Sequence, residues 1–121
     1  MTVMDTEAIR AAVAAFPELE RLVELRHAGW RLTPVHGTNG EITSVLGARS
    51  WPGCWTDVIG IRYVTDAQGL RCNPAGERVW ERTGSLVEVV DGLLELPVPD
   101  TGNAPSLVLG TAPTLWTPGA V

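Results

Sequence analysis

Trp30-Arg31-Leu32-Thr33-Pro34-Val35-His36-Gly37-Thr38-Asn39-Gly40-Glu41-Ile42-Thr43-Ser44-Val45-Leu46 is the stretch whose reading decides the fold. From Trp30 onward the hydrophobic period is two. Arg31 to His36 and Glu41 to Leu46 therefore read as short β segments, with alternate side chains on opposite faces. Gly37-Thr38-Asn39-Gly40 joins them, and its Asn-Gly pair readily adopts the positive φ angles of a tight hairpin. An antiparallel hairpin is expected here, and it places a sheet at the centre of the fold.

Downstream, Pro52-Gly53 breaks the segment Gly47 to Cys54, and Trp55 to Val64 then alternates again. Trp55, Asp57, Ile59, Ile61 and Tyr63 share one face; Thr56, Val58, Gly60, Arg62 and Val64 share the other. Apolar residues on both faces predict a central strand. Thr65 to Arg71 reads as a single helical turn capped by Thr65 or Asp66, Asn73-Pro74-Ala75-Gly76 as a turn, and Glu77 to Arg82 as a further strand. Ser85 is then suited to cap a helix in which Leu86, Val90, Leu93 and Leu94 fall on one stripe, ending at Leu96 before Pro97.

Upstream the period is helical. Asp5 or Thr6 suits an N-cap, and Ile9, Val13 and Phe16 form an apolar stripe. Pro17-Glu18-Leu19-Glu20 reads as a second helix start continued by Leu19, Leu22, Val23 and Arg26, with Gly29 following the last turn. The result expected is a helix pair or one kinked helix.

Five prolines, at 97, 99, 105, 113 and 118, make the C-terminal stretch an extended arm in which Ser106 to Leu109 is the segment suited to a sheet edge. Leu107, Val108, Leu109 and Trp116 are too apolar for a solvated tail, so the arm is expected to dock on its own domain or on a neighbouring subunit. The fold class expected is α+β: a single domain over 1–96, its antiparallel sheet of about four strands packed against an N-terminal helical pair (or kinked helix) and a C-terminal helix, followed by the Pro-rich arm 97–121.

A chain of 121 residues with 45% hydrophobic and 19% charged side chains has the composition of a folded domain rather than a disordered one. All nine basic residues are arginine, and against fourteen acids they leave a net charge of −5, which argues against a binder of nucleic-acid phosphates. The acidic N-terminus lacks the basic and apolar regions of an export signal, and the longest apolar run, Ala11 to Phe16, is far below the ~20 residues needed to span a bilayer. A cytoplasmic protein without a membrane partner is expected, with Cys54 and Cys72 as thiols.

The most conspicuous cluster is Trp51-Pro52-Gly53-Cys54-Trp55-Thr56-Asp57, in which two indoles flank a turn beside a thiol and a carboxylate. Such a cluster lines a small-molecule pocket, anchors an interface or, in the ordinary alternative, plugs the open end of a core. Trp51, Trp55, Asp57, Arg62, Trp80 and Trp116 are the candidate binding residues. Cys54 as a nucleophile needs His27 or His36 beside it, and no family signature surrounds it. Cys54, Cys72, His27 and His36 supply enough ligands for a metal, but their spacings of 9, 18 and 18 residues lack the short separations of zinc motifs. The carboxylate pairs Glu18 with Glu20 and Glu77 with Glu81 fit solvated faces, and no glycine-rich phosphate loop occurs. With no catalytic, cofactor or metal constellation passing the spacing test, the leading expectation is a non-catalytic protein-interaction or regulatory module. It would be homodimeric, with the Trp-rich patch and the arm as contact surfaces. The alternatives are a small-molecule-binding domain with a Trp-lined pocket and a small Cys-dependent enzyme.

Overall fold

The hairpin forms where the Asn-Gly signal places it: the Gly37 N–H donates to the Glu41 carbonyl at 2.7 Å and the Gly40 N–H to the Gly37 carbonyl at 3.1 Å. Gly40 has φ +82°, which a side chain would oppose. The chain is described by a computed structural model covering Glu7, Arg10, Ala14 and residues 17–111. Around the hairpin, β1 (Arg31–His36), β2 (Ile42–Ser50), β3 (Thr56–Tyr63), β4 (Asp66–Cys72), β5 (Glu77–Gly84) and β6 (Gly110–Thr111) form one antiparallel sheet in chain order. A 3-10 turn at Pro17–Leu19 leads into α1 (Glu20–His27), and α2 (Leu86–Glu95) lies between β5 and β6.

Two sequence expectations are corrected here. The sheet has six strands, not about four. Thr65 to Arg71 is not a helical turn: Val64 and Thr65 form a turn, and Ala67, Gln68 and Gly69 pair with Ile61, Gly60 and Ile59 of β3. A Thr-Asp pair at a turn looks like a helix cap locally, but the ladder to β3 satisfies the backbone of the whole segment. β2 likewise runs through Gly47 to Ser50, because Gly47 faces Ile59 across the ladder and leaves room for it.

The helices also differ from expectation. Among the residues described as whole elements, Pro17 to His27 form a short 3-10 turn running into one eight-residue helix, in place of the N-terminal helical pair expected; the Asp5 or Thr6 cap and the Ile9, Val13, Phe16 stripe lie outside the described residues. Nor is α2 the C-terminal element, since β6 follows it. That strand forms at Gly110–Thr111, on the edge of β5, rather than at Ser106 to Leu109.

The two faces of the sheet are unequal. Leu22 and Leu25 of α1 and Leu86, Val89, Val90 and Leu93 of α2 pack with Trp30, Leu32, Ile59, Ile61 and Ala67 in one buried cluster. This is the helix-bearing face. Two glycines set its depth: a Cβ on Gly69 would lie 2.9 Å from Val89 Cγ1, and one on Gly47 would lie 2.8 Å from Ile59 Cγ2. Both strands therefore present bare backbone where α2 and Ile59 approach. The opposite face is open where Thr33, Val35, Ser44, Leu46, Gly60, Arg62 and Gln68 lie, whereas Val58 and Leu70, further along the same face, are buried; no described helix packs on it. Pro34, which lacks a backbone donor, sits in edge strand β1 as its chemistry requires.

α2 starts at Ser85 as expected, and the structure adds a capping box. The Glu88 N–H donates to Ser85 Oγ at 3.2 Å, while the Ser85 hydroxyl and N–H donate to Glu88 Oε1 at 2.9 and 3.3 Å. The Ser85 hydroxyl, then its N–H, hold the Glu88 carboxyl below the usual carboxylate range. A carboxyl lowered in the folded state stabilises the fold above its unfolded pKa, and the contribution disappears as pH falls through the lowered value. Ser85→Ala is expected to lower stability by about 1 kcal/mol at neutral pH. Its difference from wild type is expected to shrink below about pH 4. Denaturant midpoints of both proteins across that range check the sign.

Candidate functional site

Cross-strand register builds the first candidate. Arg49, Asp57, Arg71 and Trp80 are successive Cα partners across β2, β3, β4 and β5, in one row on the helix-bearing face. Asp57 and Arg71 are fully buried and meet as a bidentate pair: Arg71 Nε donates to Asp57 Oδ1 at 2.6 Å and Nη2 to Oδ2 at 2.9 Å. The Trp51 indole N–H donates to the same Oδ2 at 3.0 Å, and Arg71 Nη1 donates to the Pro97 carbonyl at 2.5 Å. Arg49 stacks over Trp51 with its guanidinium carbon 3.9 Å from the ring centroid.

This network is closed. Both carboxylate oxygens of Asp57 are occupied, and Arg71 spends its donors on Asp57 and on the chain leaving α2. Its chemistry is that of a strut joining the β2–β3 turn, the sheet and the exit of α2. Of the six candidate binding residues, the structure brings Trp51 and Asp57 into direct contact and sets Trp80 beside them in the row. Trp80 packs against α2: its Cζ2 lies 3.1 Å from where a Gly92 Cβ would be. Trp55 is half-buried at the turn, where its carbonyl accepts from the Trp51 N–H. Arg62 does not join. It lies at the far end of β3 on the open face and pairs with Asp66 at 2.7 Å. Trp116 lies outside the described residues.

Arg71, the residue on which the network turns, is absent from the sequence-derived candidates. The available signal was an arginine inside the apolar run Gly69-Leu70-Arg71-Cys72, which has a physical rationale only if a buried acid meets it.

Cys54 is an exposed free thiol in the β2–β3 turn, and Cys72 is a buried one. Burial, then the nearby Asp57 carboxylate, push the Cys72 thiol up from its ordinary value. His36 ends β1 at the opposite end of the β2 ladder from Cys54, and His27 ends α1. Among the described residues no three of His, Cys, Asp and Glu gather closely enough to hold a metal ion.

The second candidate is on the open face. A groove of about 370 Å³ runs across β1 to β4, lined by Val35, Ser44, Leu46, Gly60, Arg62, Asp66 and Gln68. Gly60 contributes no side chain, so the floor dips between Leu46 and Gln68, its Cα partners on either side. The rim is polar and partly fixed: Arg62 is held by Asp66 through Nε and Nη2, and Gln68 Nε2 donates to Glu81 Oε1 at 3.3 Å. Sequence reasoning named one of these residues, Arg62, and assigned it to the tryptophan cluster. The groove arises from the pairing of alternate residues on four strands, which a linear pattern does not display.

No helix among the described residues is long and apolar enough to cross a membrane. Comparison with protein-family models, with curated proteins and with solved structures finds no match to this chain.

Proposed function

We propose that this chain is a non-catalytic protein-interaction module whose contact surface is the open face of the sheet, centred on the Gly60 dip. The observation that carries this reading is the groove itself: an apolar floor of Val35, Leu46 and Gly60 inside a rim of Ser44, Arg62, Asp66 and Gln68. An apolar centre within a polar rim is the usual anatomy of a protein interface. The closure of the Trp51–Asp57–Arg71 network supports the same choice, because its polar groups are already engaged within the fold. A net charge of −5 favours neutral or basic partners.

The groove volume also lies within the range of small-molecule sites, roughly 300–1,000 Å³, and favours an apolar ligand as the second reading. Among the described residues no tryptophan lines the groove, so such a ligand is sought by thermal shift or by chemical-shift changes at Leu46 and Gly60.

Ser44→Arg fills the groove mouth, whereas Glu18→Arg changes an exposed position on the helix side. Tagged wild-type protein recovered from its host is expected to retain a partner. Ser44→Arg is expected to weaken that retention by about tenfold or more, equivalent to ~1.4 kcal/mol, and Glu18→Arg to leave it unchanged. Equal retention by both variants would overturn the reading.

A further inference from the structure

We propose that two copies of this chain exchange their C-terminal arms, Ser106–Thr111 of each adding as a strand to the outer edge of the other's β5. This uses an edge of the sheet rather than its open face, and it stands independently of the reading above.

The acceptor is incomplete in the single chain. β5 spans Glu77–Gly84, but β6 pairs only with Glu77 and Arg78, so Val79–Gly84 have no strand on their outer side among the described residues. An open edge is a template for another strand unless proline, free charged side chains or a bulge blunts it. The opposite edge, β1, carries Pro34. The β5 edge, Val79-Trp80-Glu81-Arg82-Thr83, carries no proline, and the charge of Glu81 is already engaged within the sheet by Gln68 and Arg78.

The donor is on the same chain and is equally unsatisfied. Leu107, Val108 and Leu109 are consecutive, apolar and 79%, 45% and 54% exposed. Their own β5 edge takes one hydrogen bond from them and pairs none of them in the ladder. The Leu109 N–H donates at 2.7 Å to the carbonyl of Arg78, whose Cα partner is Gly110, so the backbone bends off the ladder at this point. Upstream, buried Pro99 and the turn closed by the Ala104 N–H on the Thr101 carbonyl hold the approach.

A partner's arm, held by the same turn on its own molecule, approaches this edge from a different direction. The existing pairs, Glu77 with Thr111 and Arg78 with Gly110, define the register. Carried forward, it sets Leu109 opposite Val79, Val108 opposite Trp80, Leu107 opposite Glu81 and Ser106 opposite Arg82. Val108 then lies beside the half-buried Trp80 on the helix-bearing face. Because each copy holds both donor and acceptor, the exchange closes as a two-fold dimer.

The test is a disulfide. Arg82→Cys and Ser106→Cys are placed together in one chain on a Cys54→Ser background and oxidised mildly. Residues directly opposite in a ladder are within disulfide range. Glu77→Cys with Thr111→Cys, paired in the structure, is the control for oxidation. A covalent dimer linked between chains is expected. A disulfide within one chain would show that its own arm closes the edge, and no disulfide while the control forms would show that the edge stays open; either overturns the proposal. Sedimentation of Leu107→Asp/Leu109→Asp, both exposed positions, is a second readout. The dimer is expected to weaken by about tenfold or more, and an unchanged dimer would overturn the exchange.

Discussion

Arg71→Met is expected to destabilise the protein by about 3–5 kcal/mol, the largest effect among the substitutions considered. Arg71 and Asp57 have side chains 0% and 2% exposed. Removing the guanidinium leaves a carboxylate in that interior with the Trp51 N–H as its remaining partner, and it also frees the Pro97 carbonyl. Most of the loss is the cost of an unpaired buried charge, not the intrinsic value of the pair. The double variant Asp57→Leu/Arg71→Met is therefore expected to be less destabilised than the sum of the two single changes, and the double-mutant cycle measures that coupling. Arg71→Lys keeps the charge but loses the two-pronged geometry, so it is expected to fall between wild type and methionine. Urea unfolding with unchanged slope would assign the shift to stability, and a loss below about 1 kcal/mol for Arg71→Met would contradict the burial of the pair.

Ile59→Ala is expected to cost about 2–5 kcal/mol, towards the upper end of that range. Ile59 is 0% exposed at the centre of the sheet. Its Cα partners on both sides are Gly47 and Gly69. Neither glycine has a side chain to relax into the void, and Leu32, Val89 and Leu93 already occupy the space that a Cβ on either glycine would need. Ile59→Val, which removes one methylene, is expected to cost about 0.5–1.5 kcal/mol. If the two variants lost equal stability, the row would not be packed as tightly as the glycines imply.

The elements legible in the sequence are those encoded by neighbours. The Gly37–Gly40 hairpin, the alternation that becomes β3 and the Ser85 cap of α2 each rest on residues a few positions apart. Errors arose where pairing at a distance overrode a local signal. Thr65-Asp66 resembles a helix start, yet β3 recruits the following residues as β4. Gly47 resembles a breaker, yet it is the space Ile59 requires. Asp57 and Arg71 are fourteen positions apart, and their meeting follows only from the β3–β4 register. The open-face groove is less legible still, because it consists of alternate residues drawn from four strands, none of them unusual alone. Trp51 was conspicuous by type, and the structure shows its indole nitrogen engaged with Asp57, within the fold.

The central claim is that contact with a partner is made through the open face and not through the tryptophan turn. Site-specific photo-crosslinking tests it most directly, with a benzoylphenylalanine placed at position 44 in the groove or at exposed position 54 in the Trp51–Trp55 turn, expressed in the host. Adducts from position 44 and none from position 54 are expected. Adducts from position 54 with none from position 44 would contradict the account and return the contact surface to the turn.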